Sequence, residues 1–474
     1  RSTIHDPQVT IEEPWLYLKP LFMAEVGVAR TLRNLREGGH PLPAVNIDNA
    51  LKWVEQRMGV ELAPAQRDAI RRATTEKVLV ITGGPGVGKT TLVRGIIEVF
   101  AAKKLRVALC APTGRAAKRL SEATGREAKT IHRLLEYEPG LGGFKRDRDH
   151  PLDYDLIVVD ETSMVDVVLM NQLLKAVSPW ACLVLVGDVD QLPSVGPGAV
   201  LADVIASGVV PVVRLTEIFR QAGESWIVRA AHAVHAGDLP TSAPAGQGDF
   251  FVVPAEEPAA IIDRIIEMVR DRIPARFRLD PLRDVQVLTP MNRTELGVRN
   301  LNARLQEVFN PPRGQAEVQR FGWSFRVGDK VIQTQNNYQR EVFNGDIGRV
   351  VAIDESERAL TAEFDGRQVF YDFGELDELA LAFACTIHKA QGSEYPAVVI
   401  PLHTQHFLML RRNLLYTGIT RGKRLVAIVG SRRALARAVG QADEGRRYSL
   451  LGDRLRGAEP SHGTHGTYGT HGMR

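Results

Sequence analysis

Four short runs of apolar, largely β-branched residues mark the first half of the chain: Val78-Leu79-Val80-Ile81-Thr82, Arg106 to Thr113, Asp155 to Val159 and Cys182 to Val186. Runs of this length without polar alternation fit strands buried on both faces of a parallel sheet. The first leads through a glycine loop into Thr91-Leu92-Val93-Arg94-Gly95-Ile96-Ile97, which has helical character. Strands followed by helices predict an α/β fold. Residues 1–60 read as helical, with mixed apolar and charged faces in Phe22 to Arg36 and Ile47 to Met58, and Gly38-Gly39-His40-Pro41 between them. They suggest the end of an accessory domain and a connector. Residues 136–154 break the α/β rhythm around Pro139-Gly140 and Gly142-Gly143. A small β-hairpin accounts for that pattern, and a disordered loop accounts for it equally well. In the second half, Lys330 to Gln333, Gly348 to Ile353, Leu360 to Phe364 and Gln368 to Tyr371 alternate like short strands between Gly and Asp turns.

Composition changes this picture little. The 474 residues suggest about three domains. With 44% hydrophobic and 24% charged residues the chain is an ordinary globular one. No apolar run approaches the ~18 residues of a membrane span. No secretory pattern opens the chain, which starts Arg1-Ser2-Thr3 without Met, as a fragment of a longer protein would. Cys110, Cys182 and Cys385 are far apart and sit in apolar runs, which predicts buried thiols rather than a metal site. Net charge is only +4. The basic residues cluster, however, at Lys103, Lys104, Arg106, Arg115, Lys118, Arg119, Arg126, Lys129 and Arg133, and again at Arg411, Arg412, Arg421, Lys423 and Arg424. Alone, such clusters read as solvated faces. Beside the right motifs they become candidates for a phosphate backbone.

Those motifs lie at the ends of the apolar runs. Gly83, Gly84, Pro85, Gly86, Val87, Gly88, Lys89 and Thr90, with Thr91 following, give G-x-x-x-x-G-K-T between a strand and a helix. Glycines let backbone N–H groups close around phosphate oxygens, and the helix N-terminus adds partial positive charge. Lys89 is expected to reach the β- and γ-phosphates of ATP and Thr90 to hold Mg²⁺. Asp160 and Glu161 end the third run. Asp160 is expected to hold Mg²⁺, and Glu161 to orient and deprotonate the attacking water. Gln191, after the fourth run, is a neutral side chain able to hydrogen-bond a γ-phosphate or that water. Arg220 is a candidate cation for transition-state charge. Gln66, one element before the glycine loop, carries an amide suited to the adenine edge, although an exposed helix residue is the plainer reading. Thr113, Arg115 and the nearby Thr130, His132 and Arg133 would hold a phosphodiester backbone, or serve as a helix cap and surface charge.

Taken together the residues resemble the RecD-like helicases, the 5′-to-3′ branch of superfamily 1. The likeness is carried by residues 83–90, Ala-Pro-Thr-Gly-Arg-Ala-Ala at 111–117, Asp-Glu-Thr-Ser-Met-Val-Asp at 160–166, Gly-Asp-Val-Asp-Gln-Leu-Pro-Ser-Val-Gly-Pro-Gly at 187–198 and Leu-Thr-Glu-Ile-Phe-Arg-Gln at 215–221. It continues in Leu288-Thr289-Pro290, Phe343-Asn344-Gly345-Asp346, Thr386-Ile387-His388-Lys389-Ala390-Gln391-Gly392 and Leu415-Tyr416-Thr417-Gly418-Ile419-Thr420-Arg421. It spans about residues 62 to 431.

The resemblance implies two RecA-like P-loop lobes with ATP between them. One lobe covers 61–214 with the 136–154 hairpin as the family's "pin". The other covers 215–319 and 376–450, with an SH3-like barrel inserted at 320–375. Residues 1–60 would be the end of an N-terminal accessory domain and 451–474 a flexible tail. By motif, Gln66 reads adenine, Gln191 senses the γ-phosphate, Arg220 and Arg421 reach in from the second lobe, and Thr113, Arg115, His132, Thr386, His388 and Lys389 touch single-stranded DNA. The implied activity is that of a monomeric, ATP- and Mg²⁺-dependent DNA helicase in DNA repair or recombination. It would load on 5′-tailed single-strand/duplex junctions in the nucleoid of the cytoplasm. A single-stranded DNA translocase, or a subunit that needs a nuclease partner, is the alternative. Standalone members carry a larger N-terminal region, of which at most the end is present here.

Overall fold

The computed structural model describes residues 9–12, 15–138, 140, 142–217, 224–244, 247–337, 339–442 and 447–457. The four apolar runs are neighbours or near neighbours in one six-stranded sheet. Its order is Val212–Leu215, Val78–Gly83, Cys182–Gly187, Leu156–Val159, Val107–Ala111 and Ala128–Thr130, and every pair is parallel. Both faces are apolar because alternate residues serve different cores. Val78 and Val80 pack with Val28, Leu32 and Met170, whereas Leu79 and Ile81 pack with Leu92, Ile96 and Phe100. The edge strand Ala128–Thr130 is three residues of Ala-Lys-Thr, too short and too polar to stand out as a run.

The N-terminal stretch differs from its helical reading. Val9–Glu12 pairs antiparallel with Trp15–Leu18, so a backbone hairpin precedes the helix Lys19–Arg36. That helix is not peripheral: Val28, Leu32 and Leu35 are buried in the first-lobe core. Ile47–Met58 is a helix capped by Asn46, whose side chain accepts the Asn49 N–H. Residues 136–154 do contain a hairpin, of two-residue strands Tyr137–Glu138 and Gly143–Phe144. Pro139 and Leu141, which fall between the two strands in sequence, lie outside the described residues.

A second parallel sheet has the order Phe250–Pro254, Gly422–Gly430, Tyr395–Leu402, Val285–Thr289 and Ala384–Thr386. Between its last two strands in space, the chain inserts a five-stranded antiparallel sheet. Its order is Arg367–Asp372, Ala359–Phe364, Ile347–Asp354, Lys330–Gln333 and Leu379–Leu381. Here burial alternates as period two requires: Val369 and Tyr371 face the core and Phe370 faces out. The insertion shares its core with the second lobe, Phe364 and Tyr371 joining Ile261 and Val287 in one cluster.

The end of the chain returns to the first lobe. Leu451–Leu455 is a short helix whose Leu451 and Leu455 are buried beside Val204. Arg454 meets Glu25 at 3.4 Å, both almost fully buried, with its guanidinium 4.8 Å from the Phe22 ring centroid. Tyr17 donates to the same carboxylate at 3.2 Å. Residues 451–457 are therefore a clasp rather than part of a flexible tail. Two leucines around Gly-Asp-Arg form no apolar pattern, and the Glu25 partner of Arg454 lies 429 residues away in sequence. Residues 458–474, with the His/Gly/Thr repeats, lie outside the described residues. No described helix is long and apolar enough to cross a membrane. The three cysteines are buried free thiols.

Candidate nucleotide site and nucleic-acid interface

Because the first sheet is parallel, its strands end together, and the loops that follow them share one edge. The loop after Val78–Gly83 is built for close approach. Gly86 and Gly88 have φ of +74° and +76°, and a Cβ on Gly83 would come within 2.6 Å of the Leu215 carbonyl oxygen. Lys89 opens the helix Lys89–Ala102, and its ammonium donates to the Gly83 and Gly84 carbonyls at 2.6 and 2.8 Å. Thr90 is exposed at the same helix end and Thr91 is half-buried. Gln66 is not an exposed helix residue. It is buried, accepts the Ala63 N–H at 3.1 Å and points its amide nitrogen at the Val87 and Gly88 carbonyls at 3.4 and 3.3 Å. It clasps the loop to the helix Pro64–Ala73.

Asp160 and Glu161 follow Leu156–Val159. Glu161 has φ +50°, a conformation costly for a residue with a Cβ, and its N–H donates to Asp160 Oδ1 at 2.9 Å. Burial and then the Glu161 charge push the Asp160 carboxyl up to about 6, with Lys89 and Arg119 opposing. Lys89 and Arg119 both face the two acids and offset their charge. A carboxylate at this strand end is the kind of oxygen donor that suits a divalent cation.

Gln191 is buried and bonded to Asp188 through its amide nitrogen at 3.2 Å, while its Oε1 has no partner among the described residues. The second lobe grips this loop. The Leu192 N–H donates to Thr417 Oγ1 at 2.9 Å and its carbonyl accepts from Gln391 Nε2 at 2.9 Å. Tyr416 donates to Asp188 at 2.8 Å, and its oxygen would lie 3.0 Å from a Cβ on Gly84. Sequence reading missed Asp188, Gln391, Tyr416 and Thr417. Their motifs were visible, but the bonds join residues about 200 apart in the chain.

The two arginines read as nucleotide-facing fare differently. Arg421 is buried and donates to Thr417 O and Ser393 O, both at 3.2 Å, so its guanidinium is tied within the second lobe. Arg220 lies outside the described residues.

Four of the six candidate DNA residues have partners within the protein itself. Thr113 caps the helix Gly114–Thr124 by accepting the Ala116 N–H at 3.2 Å. Arg115 crosses to the second lobe, donating to Ser393 Oγ at 2.9 Å and Tyr395 OH at 3.1 Å. His132 packs against Phe144 and Tyr137 of the hairpin, with ring centroids 5.7 and 6.0 Å away, and burial lowers its pKa. On the second lobe Thr386 accepts the Lys389 N–H at 3.1 Å, His388 is half-buried and Lys389 is exposed.

Fold and site together define a P-loop NTPase of two RecA-like lobes with an inserted barrel. Family models match at 66–197 (AAA domain), 301–364 (ATP-dependent RecD-like DNA helicase SH3 domain) and 381–429 (UvrD-like helicase C-terminal domain). The chain belongs to the RecD-like helicase family. It is 39% identical over 442 residues to the ATP-dependent RecD2 DNA helicase of Deinococcus radiodurans, covering 93% of this chain and 58% of that protein. It is 34% identical over 407 residues to the RecBCD enzyme subunit RecD of Mycolicibacterium smegmatis, covering 79% of this chain and 72% of that one. The chain thus spans little more than half the length of the Deinococcus relative. A Bacteroides Pif1 helicase in complex with ADP-AlF3 and ssDNA aligns at a TM-score of 0.47 and 17% identity, over 80% of this chain and 94% of that one.

Proposed function

We propose that this chain couples ATP hydrolysis to 5′-to-3′ movement on single-stranded DNA and unwinds duplex ahead of it, acting in DNA repair or recombination. One observation carries the reading. Lys89, the Asp160–Glu161 pair and Gln191 share one sheet edge, and the second lobe reaches that edge through Tyr416, Thr417 and Gln391. The loop N–H groups and Lys89 bind the phosphates. Asp160 and Thr90 would hold Mg²⁺, which when bound would supply charge neutralisation at the phosphates. Glu161 takes a proton from the attacking water, and the unpartnered Gln191 Oε1 accepts from that water as it is oriented. Arg421 and Arg220 supply cationic stabilisation from the second lobe. For Arg421 this requires leaving Thr417 and Ser393, so charge at the γ-phosphate would be felt as lobe movement. Gln66 supports the loop and reads adenine with what remains of its amide.

Thr113, Arg115 and His132 face the strand from the first lobe and Thr386, His388 and Lys389 from the second. The working division is 61–214 with the 136–154 pin, 215–319 with 376–450, and a barrel from 320 to 375. Contacts of this kind ignore sequence, as a translocase requires. A second reading is favoured by the size of the hairpin, two residues per strand, and by relatives named as RecBCD enzyme subunits. In it the chain translocates but unwinds only with a partner. Strand displacement by the purified chain on duplexes with a 5′ tail, a 3′ tail or blunt ends separates the two. Displacement from the 5′ tail alone supports the helicase. ATP hydrolysis without displacement supports the second reading. Deleting 138–148 should abolish displacement while DNA-stimulated hydrolysis survives; persistent unwinding would remove the pin role.

A further inference from the structure

Arg119 belongs to the basic cluster that sequence reading left as a solvated face or a DNA contact. It sits at i+4 from Arg115 on the helix Gly114–Thr124, yet it does neither. Its Nη1 lies 3.7 Å from Glu161 Oε1 and donates to the Gly392 carbonyl at 3.2 Å. Its Nη2 pairs with Glu394 Oε1. One guanidinium therefore bridges the acid of the first lobe and a turn of the second. That turn is held from every side. Lys423 meets Glu394 at 2.8 Å, Arg421 donates to Ser393 O, and Arg115 donates to Ser393 Oγ. Burial raises the Glu394 pKa, but Arg119 and Lys423 outweigh it and keep the carboxylate ionised. The turn is a few residues beyond Thr386, His388 and Lys389, and Gly392 approaches Thr113 so closely that a Cβ would come within 2.8 Å of its hydroxyl.

We propose that Arg119 is a positioning residue for hydrolysis, holding the Glu161 carboxylate and tying it, through the Gly392 carbonyl and Glu394, to the second-lobe segment that faces DNA. This rests on the reading of Glu161 as the base. The planar fork suits two carboxylates at once, which a lysine point charge does not. Glu161 occupies a strained backbone conformation, so its side chain gains from an external anchor. At 3.7 Å the Glu161 contact is an ion pair rather than a hydrogen bond, so it can tighten or loosen without breaking as the turn moves. DNA that shifts the turn would thereby re-aim the base.

The test uses the full chain, ATP and an oligothymidylate strand, with kcat, KM for ATP and oligonucleotide Kd measured separately. Arg119→Ala should lower kcat at saturating DNA about tenfold to a hundredfold, the scale of a misplaced catalytic group. KM and Kd should stay within about twofold. Arg119→Lys should recover part of the loss. Glu394→Gln should lower DNA stimulation, and adding it to Arg119→Ala should cost nothing further. Wild-type kcat in Arg119→Ala, with Glu161→Gln inactive, overturns the proposal and leaves the base assignment standing. Turnover in Glu161→Gln overturns that assignment itself. Weakened oligonucleotide binding with intact kcat at saturation makes Arg119 a phosphate contact and also overturns the proposal. Should Arg119→Ala fail to fold by circular dichroism, Arg119→Gln keeps the stem and a donor to Gly392 without the charge, and the same outcomes decide.

Discussion

The loop Gly83–Gly88 and the cap at Thr113–Arg115 rise from the same edge of one sheet, three strands apart, and are built on opposite principles. The loop is made of backbone, shaped by two left-handed glycines and a helix N-terminus. At the loop itself, only Lys89 would have to exchange partners, two carbonyls for phosphate oxygens. On the candidate DNA face two side chains already have partners: Thr113 caps its helix, and Arg115 braces the lobes. A nucleotide can enter its site with the scaffold intact. A phosphodiester strand that recruited Arg115 would have to compete with Ser393 and Tyr395. Strand binding and lobe geometry would then be one equilibrium.

The sharpest way to break the comparison is to disable one end alone. Lys89→Ala and Glu161→Gln should each lower ATP turnover by about a thousandfold or more, with the oligonucleotide Kd changed only a few-fold. Turnover measured beside fluorescence anisotropy checks both halves, and loss of DNA affinity in either variant would mean the two ends are not separable. Arg421→Ala should lower kcat by roughly a hundredfold to a thousandfold if its guanidinium reaches the γ-phosphate. Arg421→Ala with near-wild-type kcat but a lowered melting temperature would instead confine it to bracing Thr417 and Ser393.

A smaller effect is expected at Arg115. Arg115→Ala removes two hydrogen bonds from a charged donor, each worth ~1.5–3 kcal/mol when partly buried. The oligonucleotide Kd should weaken about tenfold, and ATP-induced lobe closure, followed by fluorescence transfer between labelled lobes, should weaken with it. A change in Kd with closure unaltered would show that the brace and the DNA contact are independent.

The same contrast decides what was legible in the sequence. Lys89, Asp160, Glu161 and Gln191 sit in contiguous motifs at strand ends, so local chemistry and the parallel sheet were enough to place them. Ile47–Met58 and the barrel strands were legible because period and burial agree. Arg119 was not. Its spacing from Arg115 put both on one helix side, but its partner Glu394 is 275 residues on. The bonds of Tyr416 to Asp188 and of Gln391 to Leu192 join residues 228 and 199 apart. The clasp at Leu451–Leu455 was read as tail because its apolar content is two leucines and its stabilising partner is Glu25. What pattern cannot supply in each case is a long-range polar partner, and all but the Arg454–Glu25 pair join the lobes.

The smallest effect tests the side-chain half of the comparison most directly. Acids of the inserted barrel hold cations of the candidate DNA face: Asp365 pairs with Lys118 at 2.6 Å and Glu341 with Arg133 at 3.2 Å. All four side chains are more than half exposed, so each pair contributes only about 0.2–1 kcal/mol. Asp346, at 3.9 Å from Arg115, is a poor target because it also accepts the Phe343 N–H at 2.8 Å and anchors its turn. Asp365→Asn with Glu341→Gln therefore releases Lys118 and Arg133, together with Arg367, which meets Glu341 at 3.1 Å, with little change to the fold. If these cations trade acid partners for phosphates, oligothymidylate binding should tighten about two- to fivefold, the upper range of one such pair. The salt dependence should also steepen by roughly 0.7 per phosphate gained. Titrations across a range of salt concentrations read both at once. An unchanged slope would make these pairs bystanders and leave Arg115 as the tested point of exchange between protein and DNA. Weaker binding would give the barrel acids a guiding role and reverse the sign of the competition.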